Sequence, residues 1–186
     1  FHRAGASPTE EGAAQVLPSL DLDVQYEGHD MRVFLGSKDV TSRLRSAEVG
    51  ALVSPVATLR PVRTRMVKEQ RRIGAEQEER HGGVVLDGRD TGTVVFPDAD
   101  VKIYMVADLE ERARRRQQEY MSGGEDVSLT EVREEIKDRD RRDRSRDIAP
   151  LCRADDAIAY DTTDESIEEQ VQFVVDRVKA LGNEGT

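Results

Sequence analysis

The stretch VVLDGRDTGTVVFPDADVKIYMVAD, Val84 to Asp108, decides how the second half of this chain reads. Its two apolar runs, VVL and VKIYMVA, are strand-length and lack clean polar alternation, the pattern of strands covered on both faces in a parallel sheet. Between them stands an abrupt polar cluster, Asp87-Gly88-Arg89-Asp90-Thr91-Gly92-Thr93, which is poor core material. In an open α/β sheet, ligands bind just beyond the carboxyl ends of the strands, where this cluster falls. Glycine lets the backbone turn sharply beside a ligand. The guanidinium fork matches phosphate, and each carboxylate can accept from a base amine or hold a hydrated metal. The bland alternative is a strand-end turn closed by an internal salt bridge.

Working outward, VVLDG (84–88), VKIYMVA (101–107) and AIAYDT (157–162) read as strands, and 108–121, 128–142 and 165–181 as helices. The last helix carries Ile167, Val171, Val174, Val175 and Val178 on one face. Alternation of strand and helix predicts an α/β fold with a parallel sheet flanked by helices. Upstream, LDVQYEGHDMRVFLGSKDVT alternates apolar and polar residues around Glu27-Gly28-His29-Asp30, a β-hairpin with a further turn at Gly36-Ser37. Ser7 followed by Pro8 and two glutamates predicts an N-cap opening a short helix. One short and one long helix follow the hairpin, broken near Pro55 and Pro61, and Gly82-Gly83 closes this half. Phe1 to Ala4 read as the end of a helix stopped by Gly5.

Composition narrows the classes of function. A formal net charge of −10 argues against general binding to nucleic acid or anionic membranes, both of which select basic surfaces. Of 28 cations, 23 are arginine, the side chain suited to bidentate phosphate recognition. The single cysteine, Cys152, and the scattered His2, His29 and His81 predict neither a disulfide nor a metal site. No apolar run reaches the ~18 residues of a membrane span, so a soluble cytoplasmic protein is the expectation.

A second charged stretch is EIKDRDRRDRSRDIAPL, Glu135 to Leu151, with six cations and three aspartates between Lys137 and Arg146. It reads either as a solvated helix laced by pairs such as Glu135–Arg139 and Asp138–Arg142, or as a flap whose arginines converge on phosphoryl oxygens. MSGGED (121–126) would be its hinge, and Arg115 reads as an ordinary exposed helix arginine.

Taken together, DGRDTGTVVFPDADVKIYMVADLEERARRR, IKDRDRRDRSRDIAPL and ADDAIAYDTT resemble bacterial cytidylate kinase, a nucleoside monophosphate kinase family of the P-loop NTPase fold. The resemblance covers nearly the whole chain. It implies transfer of the ATP γ-phosphoryl group to CMP or dCMP, with Mg²⁺, in a cytoplasmic protein expected to be a monomer. It assigns 1–17 to the remnant of an N-terminal core, 18–63 to a monophosphate-binding insert and 64–186 to the kinase core, with a helical lid over about 117–146. By the same resemblance Ser54, Arg63 and Asp90 match positions that read cytosine, and Asp143 one that holds the sugar hydroxyl. Arg89, Arg139 and Arg146 match arginines gathered on phosphate, and Asp87 an aspartate near the hydrated Mg²⁺. Cytosine offers an amine at N4 and acceptors at O2 and N3, so a carboxylate beside a guanidinium and a hydroxyl is its complement. Uracil reverses position 4 and would set a carbonyl against the carboxylate.

One family signature is absent from these 186 residues: no glycine begins G-x-x-x-x-G-K-[ST]. Gly83 to Gly88 has the glycine spacing, but Arg89-Asp90 follows and the interval reads as a strand. The first βαβ unit is therefore expected to be missing, and the stretch as written is expected not to turn over. The rival classes are a truncated or pseudo-kinase module that holds nucleotide without turnover and, more weakly, an RNA-binding protein using the arginine-rich flap.

Overall fold

The computed structural model describes residues 1–27, 30–44, 49, 53 and 55–184. Contacts divide the chain into two units, Phe1–Val85 and Leu86–Thr186.

In the first unit, a single 3-10 turn at His2–Ala4 ends on Gly5 at φ 63°. Helix α1 (Glu10–Val16) follows, capped by Thr9, whose hydroxyl accepts from Gly12 N at 3.2 Å. The cap falls two residues beyond the expected Ser7. Ser7 instead lies against the helix, where a side chain on Gly12 would stand 2.0 Å from the Ser7 carbonyl oxygen, so only glycine admits this packing. Strands β1 (Leu22–Glu27) and β2 (Asp30–Leu35) pair antiparallel from Leu22↔Leu35 to Glu27↔Asp30, the predicted hairpin, and β3 (Lys38–Asp39) adds to β2. The turn residues Gly28 and His29 lie outside the described residues.

Helix α2 (Arg60–His81) opens with Pro61 in its first turn and closes on Gly82 at φ 76°, a left-handed cap that glycine adopts without strain. Its buried side carries Val62 but also Glu69 and Gln77. Glu69 is 10% exposed, held by Arg65 and Arg72 at 3.0 Å each. The same two guanidiniums reach the backbone carbonyls of Leu20 and Leu22, at 3.2 and 3.5 Å, and so fasten α2 to the foot of the hairpin. The short helix expected before α2 falls mostly on residues outside the described set.

In the second unit, β4 (Ile103–Val106) and β5 (Ile158–Asp161) pair in parallel, Ile103 opposite Ile158. The crossover between them is a helical hairpin, α3 (Leu109–Ser122) and α4 (Leu129–Ser145). Helix α5 (Ile167–Glu184) follows β5. Capping boxes open α4 and α5: Ser128 exchanges hydrogen bonds with Glu131, and Ser166 with Glu169. Val95, Ala113, Val132 and Ala157 form the buried centre.

The fold is thus α/β with a small parallel sheet, and two expectations fail. Residues 84–88 are not a strand: among the described residues they pair with nothing, and Val85 is 84% exposed. A strand exists by its ladder, and apolar composition alone cannot supply one. The sheet is also not covered on both sides, since Met105, Val106 and Ile158 are exposed. Neither is the apolar stripe of α5, where Ile167, Val171 and Val178 face outward. The helix docks instead through Phe173, stacked on Tyr160 of β5 at 3.9 Å with planes 10° apart.

Candidate functional site

The site is built from two sequence stretches 50 residues apart that meet within the second unit. The first is the polar cluster. Asp90 is buried and heads a single π-helical turn, Thr91–Val95, its carbonyl oxygen accepting from the backbone of Thr93, Val94 and Val95 at 3.3, 2.9 and 3.2 Å. Val95, almost fully buried, anchors that turn to the core. Asp90 is therefore fixed by backbone geometry, while Asp87 and Arg89 before it stand exposed.

The second stretch is the end of α4. Arg139 and Asp143, spaced i, i+4, lie on one side of the helix, and Arg146 follows directly after its last residue. Asp143 is the hub. Its carboxylate receives Arg89 Nε at 3.0 Å, lies 3.4 Å from a terminal nitrogen of Arg146, and lies 3.9 Å from Arg139 Nε. Arg146 is 90% buried by side chain (10% exposed), and its Nη2, the nitrogen facing Asp143, makes no hydrogen bond among the described residues. Three guanidiniums thus share one carboxylate. A surplus of always-charged donors is what a phosphate group needs from its binding site.

The structure brings Arg89, Arg139, Asp143 and Arg146 together, with Asp90 adjacent in the chain to Arg89. Arg63 lies on α2 of the first unit, half-buried, and Ser54 lies outside the described residues. Among the described residues no three His, Cys, Asp or Glu side chains cluster as a metal site.

Three features were read differently from the sequence. The MSGGED segment is the tip of the α3–α4 hairpin, with Gly124 at φ 84°. The two legs are clasped by Arg112–Asp140 at 2.8 Å, Arg133–Glu110 at 3.1 Å and the Tyr120 hydroxyl on Glu135 at 3.0 Å. The tip is therefore not the hinge, because bending there would break all three clasps. Within α4, Glu135 takes Tyr120 in place of the expected Arg139, and Arg142 Nε donates to the Asp138 carbonyl oxygen in place of its carboxylate. Arg115 is not an idle surface residue. It donates to the backbone carbonyls of Thr162 at 2.6 Å, Thr163 at 3.3 Å and Glu165 at 3.4 Å, tying α3 to the turn after β5. Its position on α3 gave no sign of partners 47 to 50 residues away.

Comparison with known proteins agrees with the geometry. The family model described as Cytidylate kinase matches residues 6–180. A cytidylate kinase of Salinibacter ruber is 66% identical over 186 residues, covering 100% of this chain and 82% of the relative. A cytidylate kinase of Geobacter sp. is 41% identical over 187 residues (98% and 78%), and one of Bacillus cereus 44% over 172 (92% and 74%). A match spanning almost every residue, with two thirds of them identical in one relative, places this chain in the cytidylate kinase family.

Proposed function

We propose that the protein transfers the γ-phosphoryl group of ATP to CMP or dCMP, and that Arg89, Arg139 and Arg146 hold phosphoryl oxygens while Asp143 takes the sugar hydroxyl. The observation that carries this is the hub at Asp143, where three guanidiniums converge on one carboxylate. An oxygen of the acceptor phosphate attacks the γ-phosphorus, the bond from that phosphorus to the β–γ bridging oxygen breaks, and ADP leaves. Such transfer asks a protein for positioning and charge neutralisation more than for covalent chemistry. Always-charged arginines meet that demand.

Asp90, Arg63 and Ser54 read the base in this proposal. The buried, backbone-fixed setting of Asp90 suits a carboxylate that accepts from the N4 amine. Mg²⁺ accompanying ATP would neutralise phosphate charge. Magnesium keeps several waters and needs only one or two carboxylates besides phosphates, a demand that the lone exposed Asp87 fits through water. The partners in this proposal are small molecules, for a cytoplasmic monomer, and the acidic balance argues against nucleic acid. Among the described residues no helix is long and apolar enough to cross a membrane.

The test is ADP release by the chain joined to a segment that carries G-x-x-x-x-G-K-[ST], with CMP, dCMP, UMP, AMP and GMP as acceptors. CMP and dCMP should exceed UMP by at least tenfold in kcat/KM, and equal efficiency with UMP would sink the base-reading assignment. The 186 residues lack G-x-x-x-x-G-K-[ST]. Taken by themselves they should bind CMP without turnover, and joining a segment that carries the pattern should confer it.

A further inference from the structure

Asp143 is tied down by its backbone as well as by its side chain. It lies in the last turn of α4, where carbonyl oxygens have no partner within the helix. Its carbonyl oxygen accepts from Leu151 N at 2.7 Å and from Arg146 Nε at 3.3 Å. The chain must fold back on itself over residues 146–150 for Leu151 to reach that oxygen. Arg146 leaves the helix in extended conformation, φ −64° and ψ 134°. The reversal is then completed by Ala149 at φ 51°.

Ala149 is the one non-glycine residue with positive φ among the described residues. The left-handed region sets Cβ against the following carbonyl, so L-residues other than glycine, asparagine and aspartate rarely enter it. Pro150 follows, and a proline discourages the ordinary right-handed helical conformation in the residue before it. A residue held in such a region marks a place where the surroundings over-determine the backbone, and such places gather at functional sites. Ile148, Ala149 and Pro150 are all partly buried, which supplies the constraint.

We propose that Ala149 is a positioning residue: its left-handed backbone closes the turn from Asp143 to Leu151, and that turn fixes Asp143 and Arg146 for the acceptor nucleotide. The inference rests on the reading of Asp143 and Arg146 as acceptor-binding groups. It assigns the orientation of this pair to the backbone of a residue three positions beyond Arg146.

The experiment compares Ala149→Val, Ala149→Asn and Ala149→Gly in the active protein. Valine, β-branched, resists positive φ, whereas asparagine and glycine accept it. Ala149→Val should raise KM for CMP at least tenfold and leave KM for ATP within twofold. Ala149→Asn and Ala149→Gly should restore KM for CMP to within threefold of the parent. A valine variant that melts earlier but keeps its CMP KM within twofold would show that the turn serves stability alone and would overturn the proposal. If valine prevents folding, amide exchange in the unsubstituted protein decides. The Leu151 amide should exchange slowly, and slower still with CMP; rapid exchange unaffected by CMP refutes the tie. Arg146→Ala separates the two readings. If that variant leaves CMP use unchanged, the acceptor-site assignment itself fails. If it impairs CMP use while Ala149→Val does not, only the positioning role fails.

Discussion

Two arginine clusters in this chain use the same chemistry to opposite ends. In the first unit Arg65 and Arg72 close on Glu69, Arg72 adds Glu76 at 2.7 Å, and both reach backbone carbonyls of the hairpin. Two guanidiniums meet two carboxylates there, so the charges balance. In the second unit Arg89, Arg139 and Arg146 meet the single carboxylate of Asp143, and a buried nitrogen of Arg146 finds no hydrogen bond. A balanced cluster is a fastening. A cluster in which three guanidiniums face one carboxylate carries surplus positive charge, which suits it to receive an anion.

The largest effect that could break this contrast is expected from Arg146→Ala. Removing one partner of a desolvated charge contact costs roughly 2–5 kcal/mol in binding, about 30-fold to several thousandfold in kcat/KM for CMP. The melting temperature should hardly move. Arg141→Ala is the control, since Arg141 is 76% exposed and paired only locally with Asp138. Equal behaviour of the two variants in steady-state assays would reduce the second cluster to a solvated helix surface.

Glu69→Ala should show the reverse pattern. It strands two arginines against the hairpin and should lower stability by about 1–3 kcal/mol, discounted because both guanidiniums are partly solvated. Denaturant unfolding measures the loss, and kcat for CMP at a permissive temperature should stay within about twofold. A collapse of kcat with stability intact would place catalytic function in the wrong cluster.

Asp143→Ala sharpens the comparison further. It frees the three arginines and removes the acceptor for the sugar hydroxyl, so the CMP:dCMP preference should fall by about tenfold, the worth of one hydrogen bond to a charged group. Competition assays with the two acceptors read this directly, and an unchanged ratio rules out a contact with the 2′-hydroxyl, the one group that dCMP lacks.

The smallest effect concerns acid. The Ser128 hydroxyl, and after it the Ser128 N–H, hold the Glu131 carboxyl below its ordinary value; the Ser166 N–H and hydroxyl do the same for Glu169. Both carboxyls titrate lower in the folded chain, so their contribution is complete above about pH 4.3, the unfolded value, and disappears as pH falls through the folded value. Glu131→Gln with Glu169→Gln should flatten the loss of melting temperature between about pH 5 and pH 3. An identical acid profile in the double variant would show that the two caps contribute nothing to it.

Much of this architecture was legible in the residues. Period-two alternation set the hairpin register, because a slip by one residue would move Val24 and Val33 to the opposite face. Arg139, Asp143 and Arg146 were singled out by resemblance to the family, not by a pattern in the residues themselves. Legibility failed where an element depends on a distant neighbour. The Val84–Leu86 run and the stripe of Ile167, Val171 and Val178 have core composition yet stand exposed among the described residues. Composition records what a segment would pack against, but not whether that partner is at hand. The three carbonyls gathered by Arg115 were hidden for a related reason, since a guanidinium on a charged helix looks the same whether it meets water or backbone.

The clasped hairpin of α3 and α4 has a mechanical consequence. A helix of 17 residues is about 25 Å long, so tilting it by about 10° about its base sweeps the tip through about 4 Å and moves a residue near the fulcrum by well under 1 Å. Asp143 lies two residues before the end of α4, near the fulcrum, whereas Met121 rides at the far end of the lever. Thermal swings of such an arm leave the aim of its arginines almost undisturbed. A label at Met121 would therefore report large displacements while the residues at the pivot stay still.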